Sequence, residues 1–333
     1  MPCAAYTGRA VMLRWFVLPL AVNPFLTGKH RPMVVGHRGV PALHQENTLA
    51  GFRRAVALGV PAIELDVRLT RDRQVVVMHD DDIERLTGER GRVIDLTWDQ
   101  LSRLRIRREL PMGIDVHGAA VVVRYDRAEP IPLLAEVLAE VAGEVAINIE
   151  LKLDLQRWWH IEVGAAVAHV VAEAGAEHRV ILTSFDPRKL RAASQARPEL
   201  ALGFCFDDGM LDFARGLLDR LPPLMGDDEP HDRRPGHNAR RVLRRILDAG
   251  LIGRFVTTRV VGAEHTLVGG STVRRLHRQG VAIGTHTLFP LGSTTGKPIA
   301  ASAATAEEAR RLVALGVDWI ETDDPERLMA LIY

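Results

Sequence analysis

Four short segments carry ionisable residues that a packed core would not hold without a use for them. They are Gly36-His37-Arg38-Gly39, Ile63-Glu64-Leu65-Asp66-Val67, Met78-His79-Asp80, and Val145 to Lys152, in which Asn148, Glu150 and Lys152 alternate with Ile147, Ile149 and Leu151. Side chains alternate across a strand. Ile63, Leu65 and Val67 therefore share one face, and Glu64 and Asp66 the other. Where such strands close into a barrel, Glu64, Asp66 and Glu150 converge. Three buried carboxylates do not stay ionised together without a compensating cation. All-oxygen ligation selects a hard divalent ion, Mg²⁺ or Ca²⁺. Lys152, on the same face, is one of only four lysines in the chain, and its compact ammonium suits a phosphate oxygen. Arg38 offers a fork that holds a phosphate bidentately. His37 and His79 form an acid–base pair suited to neutral pH. Together these groups fit in-line displacement at phosphorus, one histidine activating the nucleophile and the other protonating the leaving alkoxide.

The elements that must position these residues are also legible. Eight short apolar runs read as buried parallel strands: 33–36, 62–67, 75–78, 145–151, 180–184, 200–206, 281–284 and 317–321. Helix-period stretches lie between most of them. The clearest has Asn47 or Thr48 as its cap, Leu49, Phe52 and Val56 on one face, and Gly59 as its stop. Eight strands alternating with helices predict an α/β fold, a TIM (β/α)₈ barrel; an open doubly wound sheet is the alternative. Two intervals are too long for simple connections, about 80–132 and 207–280. They are expected to be insertions after the third strand and between the sixth and seventh. The stretch 226–238 is the expected mobile part of the second.

Residues 1–30 read as an N-terminal extension and 31–333 as a single domain. The segment 11–26 is apolar, but its longest unbroken run is eight residues, Trp15 to Val22, against the roughly 20 needed to span a bilayer. No small-residue cleavage site follows it. A cytoplasmic location is expected, with 11–26 as a segment for peripheral membrane contact. The 43 basic and 42 acidic residues leave a net charge of +1, and only 5% of residues are aromatic. That argues against nucleic acid as a partner. Two cysteines, Cys3 and Cys205, make neither a disulfide framework nor a cysteine zinc site.

An ordered set of motifs resembles the glycerophosphodiester phosphodiesterase family. It comprises His37-Arg38-Gly39, Glu46-Asn47-Thr48-Leu49, Glu64-Leu65-Asp66-Val67, Thr70-Arg71-Asp72 and Val76-Val77-Met78-His79-Asp80. It continues with Arg85-Leu86-Thr87-Gly88, Ile149-Glu150-Leu151-Lys152, Ser184-Phe185-Asp186-Pro187, Gly316-Val317-Asp318 and Thr322-Asp323. The resemblance runs from about residue 33 to 327. It implies a TIM barrel, a divalent ion on Glu64, Asp66 and Glu150, acid–base roles for His37 and His79, and phosphate contacts from Arg38 and Lys152. The substrates it implies are glycerophosphodiesters or lysophospholipids. Two other activities fit the same residues: a phospholipase-D-like lyase that forms a cyclic phosphate, and a non-catalytic barrel that binds phospholipid headgroups.

The chain also departs from the family pattern. Gln45 stands where Pro precedes the Glu-Asn-Thr-Leu motif, and Gly284-Thr285-His286-Thr287 stands where relatives carry Trp-Thr-Val-Asn. The latter removes a tryptophan from the expected pocket wall. Outside the main set, Glu46 is either a helix-start acid or a partner that orients Arg38, and Asp80 lies within reach of the site. His286 reads as a barrel-filling or headgroup residue. His231, His237 and His265 are expected to be solvated, and Arg240, Arg241, Arg244 and Arg245 to form a basic stripe on a helix.

Overall fold

The computed structural model describes residues 23–26, 31–153, 159–207, 209–211, 215–218, 220, 237–249, 258–294 and 299–333. Eight parallel strands form the barrel: β1 Met33–Gly36, β2 Ala62–Leu69, β3 Ala146–Leu151, β4 Val180–Ser184, β5 Ala201–Phe206, β6 Val260–Glu264, β7 Ala282–Leu288 and β8 Trp319–Thr322. Each pairs with its neighbour in sequence, and β8 pairs with β1, which closes the sheet. No strand edge is left exposed in such a ring.

Two strand assignments differ from the sequence expectation. Val75–Val77 is not a barrel strand. It folds back antiparallel on β2, with Val67 opposite Val77 and Leu69 opposite Val75. Only Thr70 to Gln74 separate the two, whereas a parallel crossover needs a dozen or more residues. The 80–132 interval therefore leaves the barrel after its second strand. The sixth barrel strand, Val260–Glu264, lies inside the 207–280 interval, preceded by the helix His237–Ala249. That interval is thus part of the barrel repeat and not purely an insertion. The sequence hides this strand because Gly262 interrupts a short apolar run. Residues 221–236, which include most of the expected mobile stretch and His231, lie outside the described residues. So do residues 1–22, and with them most of the 11–26 segment.

The apolar core has two main layers. The outer one lies between strands and helices and includes Val34, Ile63, Leu65, Ile147, Ile149 and Ile320. The inner one fills the base of the barrel with small residues (Ala62, Ala146, Ala201, Ala282) around a single indole, Trp319. Phe25 closes this base from below, its ring edge-on to Trp319 at 5.3 Å between centroids. The described end of the N-terminal segment is thus packed against the barrel. Trp319 also leaves no room for a tryptophan at position 284, although, fully buried in the base, it rebuilds no pocket wall. Gly284 has no side chain because the Trp319 indole, projecting from the adjacent strand, occupies that space.

The 80–132 insertion has its own apolar centre, with Met78, Ile83, Leu86, Ile106, Leu110 and Tyr125 among its buried members. Its hairpin, Glu109–Ile114 with Ala120–Arg124, reaches across the mouth of the barrel. There Ile114 and Ser293 exchange backbone hydrogen bonds of 3.2 and 2.9 Å. Among the described residues, no helix is long and apolar enough to cross a membrane.

Candidate active site

Strand β2, the C-terminal end of β3 and the residues just beyond β1, β8 and the antiparallel return Val75–Val77 supply the polar groups. The β2–β3 register sets Glu64 level with Asn148 and Asp66 level with Glu150. Glu64, Asp66 and Glu150 each bring an oxygen to within 4.8 Å of the others. The convergence expected from strand alternation is therefore present.

Each member of the trio has a different electrostatic setting. Glu64 is 1% exposed, and among the described residues its Oε1 has no hydrogen-bond partner. Its Oε2 accepts from the Arg38 backbone N–H at 2.9 Å. Burial first, then the neighbouring charges of Asp66, Glu321 and Glu150, push its carboxyl well above the usual range. Asp66 is also buried, yet Lys152, His79 and Arg38 outweigh burial and hold it ionised. Asn47 fixes its orientation, donating from Nδ2 to Oδ2 at 2.8 Å. Glu150 pairs with Lys152, whose Nζ lies 2.8 Å from Glu150 Oε1 and 3.3 Å from Asp66 Oδ1. A buried carboxylate oxygen left without a donor, beside two further carboxylates, fits a hard divalent cation.

Two histidines flank the trio, each with a carboxylate on Nδ1. His37 Nδ1 lies 2.6 Å from Asp323 Oδ1, and its Nε2 lies 4.0 Å from Glu64 Oε2. His79 Nδ1 lies 2.7 Å from Asp80 Oδ1. Carboxylate partners place the proton on Nδ1 and turn Nε2 toward the site. Burial, with the nearby charges of Arg38 and Lys152, lowers His79 to about 4, so it is neutral at physiological pH.

The Glu46 alternative is decided by geometry. Glu46 is fully buried and accepts from Arg38 at 3.0 Å and from Arg85 at 2.7 and 2.9 Å. Against the penalty of burial, the two guanidiniums lower it to about 2. Arg85 also donates to Asp80, which links the insertion to His79. Thr48 caps the helix Leu49–Ala57, while Asn47 adopts a left-handed φ of 58° that frees its side chain for Asp66. Arg38, at φ 55°, makes a similar turn out of β1.

His286, half-buried, packs edge-on against Phe185, and burial lowers it to about 4. His265 contradicts its expected solvation. It is 2% exposed, with Nδ1 2.7 Å from Glu308 and the backbone oxygen accepting from Arg311 at 2.9 Å. The helix His237–Ala249 carries the expected arginine stripe, anchored by buried Leu243 and Leu247. Arg85, Asp323, Asn148 and Glu321 join the site only in the folded structure. Arg85 and Asp323 lay within recognised motifs, and Asn148 and Glu321 lay on inward faces. That periodicity was the available signal.

Beside His37, Arg38 and Asp323 opens a cleft of about 170 Å³. Pro41 and Met112 line one part of it, Pro290 and Ser293 another. Closed barrel, carboxylate trio, carboxylate-backed histidines and cationic side chains define a barrel hydrolase for anionic esters. The profile of the Glycerophosphoryl diester phosphodiesterase family matches residues 37–327. A glycerophosphodiester phosphodiesterase of Caldanaerobacter subterraneus is 31% identical over 183 residues, 55% of this chain and 70% of that one. The chain also superposes on a putative glycerophosphoryl diester phosphodiesterase from Silicibacter pomeroyi. The TM-score there is 0.64 with 24% identity, over 91% of this chain and 95% of the other. A phosphodiesterase from Oleispira antarctica, solved with the product sn-glycerol-3-phosphate, superposes at TM-score 0.61 with 19% identity, over 90% and 96%. The chain belongs to the glycerophosphoryl diester phosphodiesterase family and is a phosphoric diester hydrolase.

Proposed function

We propose that this enzyme hydrolyses glycerophosphodiesters to an alcohol and glycerol phosphate, using a divalent cation held by Glu64, Asp66 and Glu150. The observation that carries the reading is the buried, unpartnered Glu64 Oε1 facing two further carboxylates. The ion is Mg²⁺ or Ca²⁺, since the donors are all oxygen. When bound, it neutralises charge on the phosphate as the transition state forms.

The chain's own groups do the rest. Lys152 and Arg38 stand beside the trio and suit the non-bridging phosphate oxygens. His79 is neutral at physiological pH, and its Nε2 takes the proton of the attacking water. His37, backed by Asp323, gives a proton to the leaving alkoxide. One P–O bond forms and one breaks, and proton exchange with solvent returns His79 to its neutral form and His37 to its protonated form for the next turnover. The cleft beside His37 receives the alcohol. Lysophospholipids present the same diester and are the second substrate class, taken by the same groups at the mouth of the barrel. Contact with a lipid surface and a cytoplasmic location belong to this proposal also.

The test is release of alcohol from glycerophosphoglycerol, glycerophosphocholine and lysophosphatidylcholine with Mg²⁺, Ca²⁺ or chelator, beside His37→Ala. Metal-dependent release of the alcohol that His37→Ala abolishes, leaving glycerol phosphate from the two glycerophosphodiesters and lysophosphatidate from lysophosphatidylcholine, supports the reading. A cyclic phosphate as final product would replace hydrolysis with the lyase reaction. Ligand binding without turnover would leave a headgroup-binding barrel.

A further inference from the structure

One buried acid in the barrel mouth has no part in this mechanism. Glu321 lies on the inward face of β8, 6% exposed and two residues beyond Trp319. Its Oε1 accepts from Asn148 Nδ2 at 2.9 Å and from Trp319 Nε1 at 3.2 Å. Asn148 is fixed in turn by the Thr183 hydroxyl, which donates to its Oδ1 at 2.8 Å. The β2–β3 register sets Asn148 level with Glu64, and Glu150 follows two residues later on the same face. The floor of the trio is therefore a hydrogen-bonded chain that ends on a carboxylate.

The charge balance around the trio gives this carboxylate a use. Arg38 lies 3.4 Å from Asp66, and Lys152 reaches both Glu150 and Asp66. These cations suit a phosphate, but they also repel a divalent ion and occupy the charge that would attract it. Glu46 faces Arg38 and Asp323 faces His37 from the rim, and an ionised Glu321 adds a further negative charge from below the trio. Two donors tie Glu321 Oε1, and Glu321 is not among the carboxylates whose oxygens come within 4.8 Å of one another. Burial pushes Glu321 up to about 7 while His37 pulls it down, and the Glu321 charge is among the forces that raise Glu64.

We propose that Glu321 is a positioning residue whose charge, held by Asn148 and Trp319, raises the affinity of the Glu64–Asp66–Glu150 site for a divalent cation. The inference rests on the reading of that trio as a metal site. A purely structural role would need only a hydrogen-bond acceptor, which glutamine also provides. Glu321→Gln therefore separates the two.

The experiment is calorimetric titration at pH 8, where Glu321 carries its charge, of the metal-free full chain with Mg²⁺ or Ca²⁺ alone, for wild type and Glu321→Gln, together with the thermal midpoint of each metal-free protein. The expected result is a Kd at least tenfold weaker in Glu321→Gln, with a metal-free midpoint equal to or above that of wild type because like-charge repulsion is relieved. Equal Kd values would overturn the inference and leave the metal site standing. A Glu321→Gln protein that is several degrees less stable without metal, or that fails to fold, would assign Glu321 a structural role and also overturn it. If wild type bound neither ion, the metal reading would fall and this inference with it.

Discussion

Asn47 holds Asp66 from both ends. Its Nδ2 donates to Asp66 Oδ2 at 2.8 Å, and its Oδ1 accepts the Asp66 backbone N–H at 3.2 Å. It does so from a left-handed conformation that asparagine tolerates better than most residues. Asn47→Ala removes both bonds and keeps the unfavourable φ. The expected cost is about 2–3 kcal/mol of stability, read by denaturant unfolding, with about tenfold weaker metal binding. Asn47→Asp, which sets a carboxylate against Asp66, is expected to destabilise the metal-free protein more than the alanine variant does.

Arg85 joins Glu46 to Asp80 from the insertion and so couples Arg38 to His79. Arg85→Met leaves a buried carboxylate short of a partner and Asp80 free to turn. A fall in kcat of about 10–100-fold is expected. Lysine, which cannot reproduce the planar fork, is expected to restore little of it. Steady-state kinetics of the three proteins checks this.

Chelation provides a stability readout independent of turnover. Removing divalent ions from wild type is expected to lower the thermal midpoint, and Mg²⁺ or Ca²⁺ at 100 times its Kd to restore about 2.7 kcal/mol. Glu64→Gln removes one ligand charge and is expected to abolish the metal-dependent part of the midpoint. Differential scanning calorimetry with and without chelator reads both.

Glu308 sets a pH dependence far from the reaction. Burial would raise it, but hydrogen bonds from Arg311 and His265 hold it at about 2 against an ordinary 4.5. A lowered carboxylate stabilises the fold fully above the unfolded value, and the contribution is lost as pH falls from about 4.5 toward 2. Arg311 is partly exposed, so solvent screening reduces the contribution to about 1–2 kcal/mol. Glu308→Gln is expected to lower stability by that amount at pH 7 and to match wild type near pH 2. Urea unfolding across this range gives the comparison.

Gly284 is required by a residue on the neighbouring strand. A methyl group there would enter the indole of Trp319. Gly284→Ala is expected to cost about 1–3 kcal/mol or more. Gly284→Ala combined with Trp319→Leu is expected to be destabilised less than the sum of the two single variants. Unfolding free energies of the three variants measure that coupling.

Much of the site was readable because its key signal is local. Glu64 and Asp66 share a face by strand alternation alone, and Glu150 and Lys152 do likewise. The same composition misled where topology was at stake. Val75–Val77 has the apolar character of a barrel strand, and only the five-residue turn before it marks the antiparallel return. Val260–Glu264 was hidden because its apolar run is broken at Gly262. His265 looked like a loop residue, and its partners Glu308 and Arg311 lie more than 40 positions away.

The sequence by itself determined the fold class, the trio of carboxylates and the two histidines. The trio follows from residue type and a period of two along β2 and β3, the fold class from strands alternating with helices, and the histidines from their place in ordered motifs. Only the tertiary structure decided which residues complete them. Asp323 meets His37, Glu321 meets Asn148, and Trp319 fills the space above Gly284 because β8 closes onto β1 and pairs with β7. Closure is a property of the whole ring, with partners in some cases more than 280 residues apart, and no local pattern encodes it.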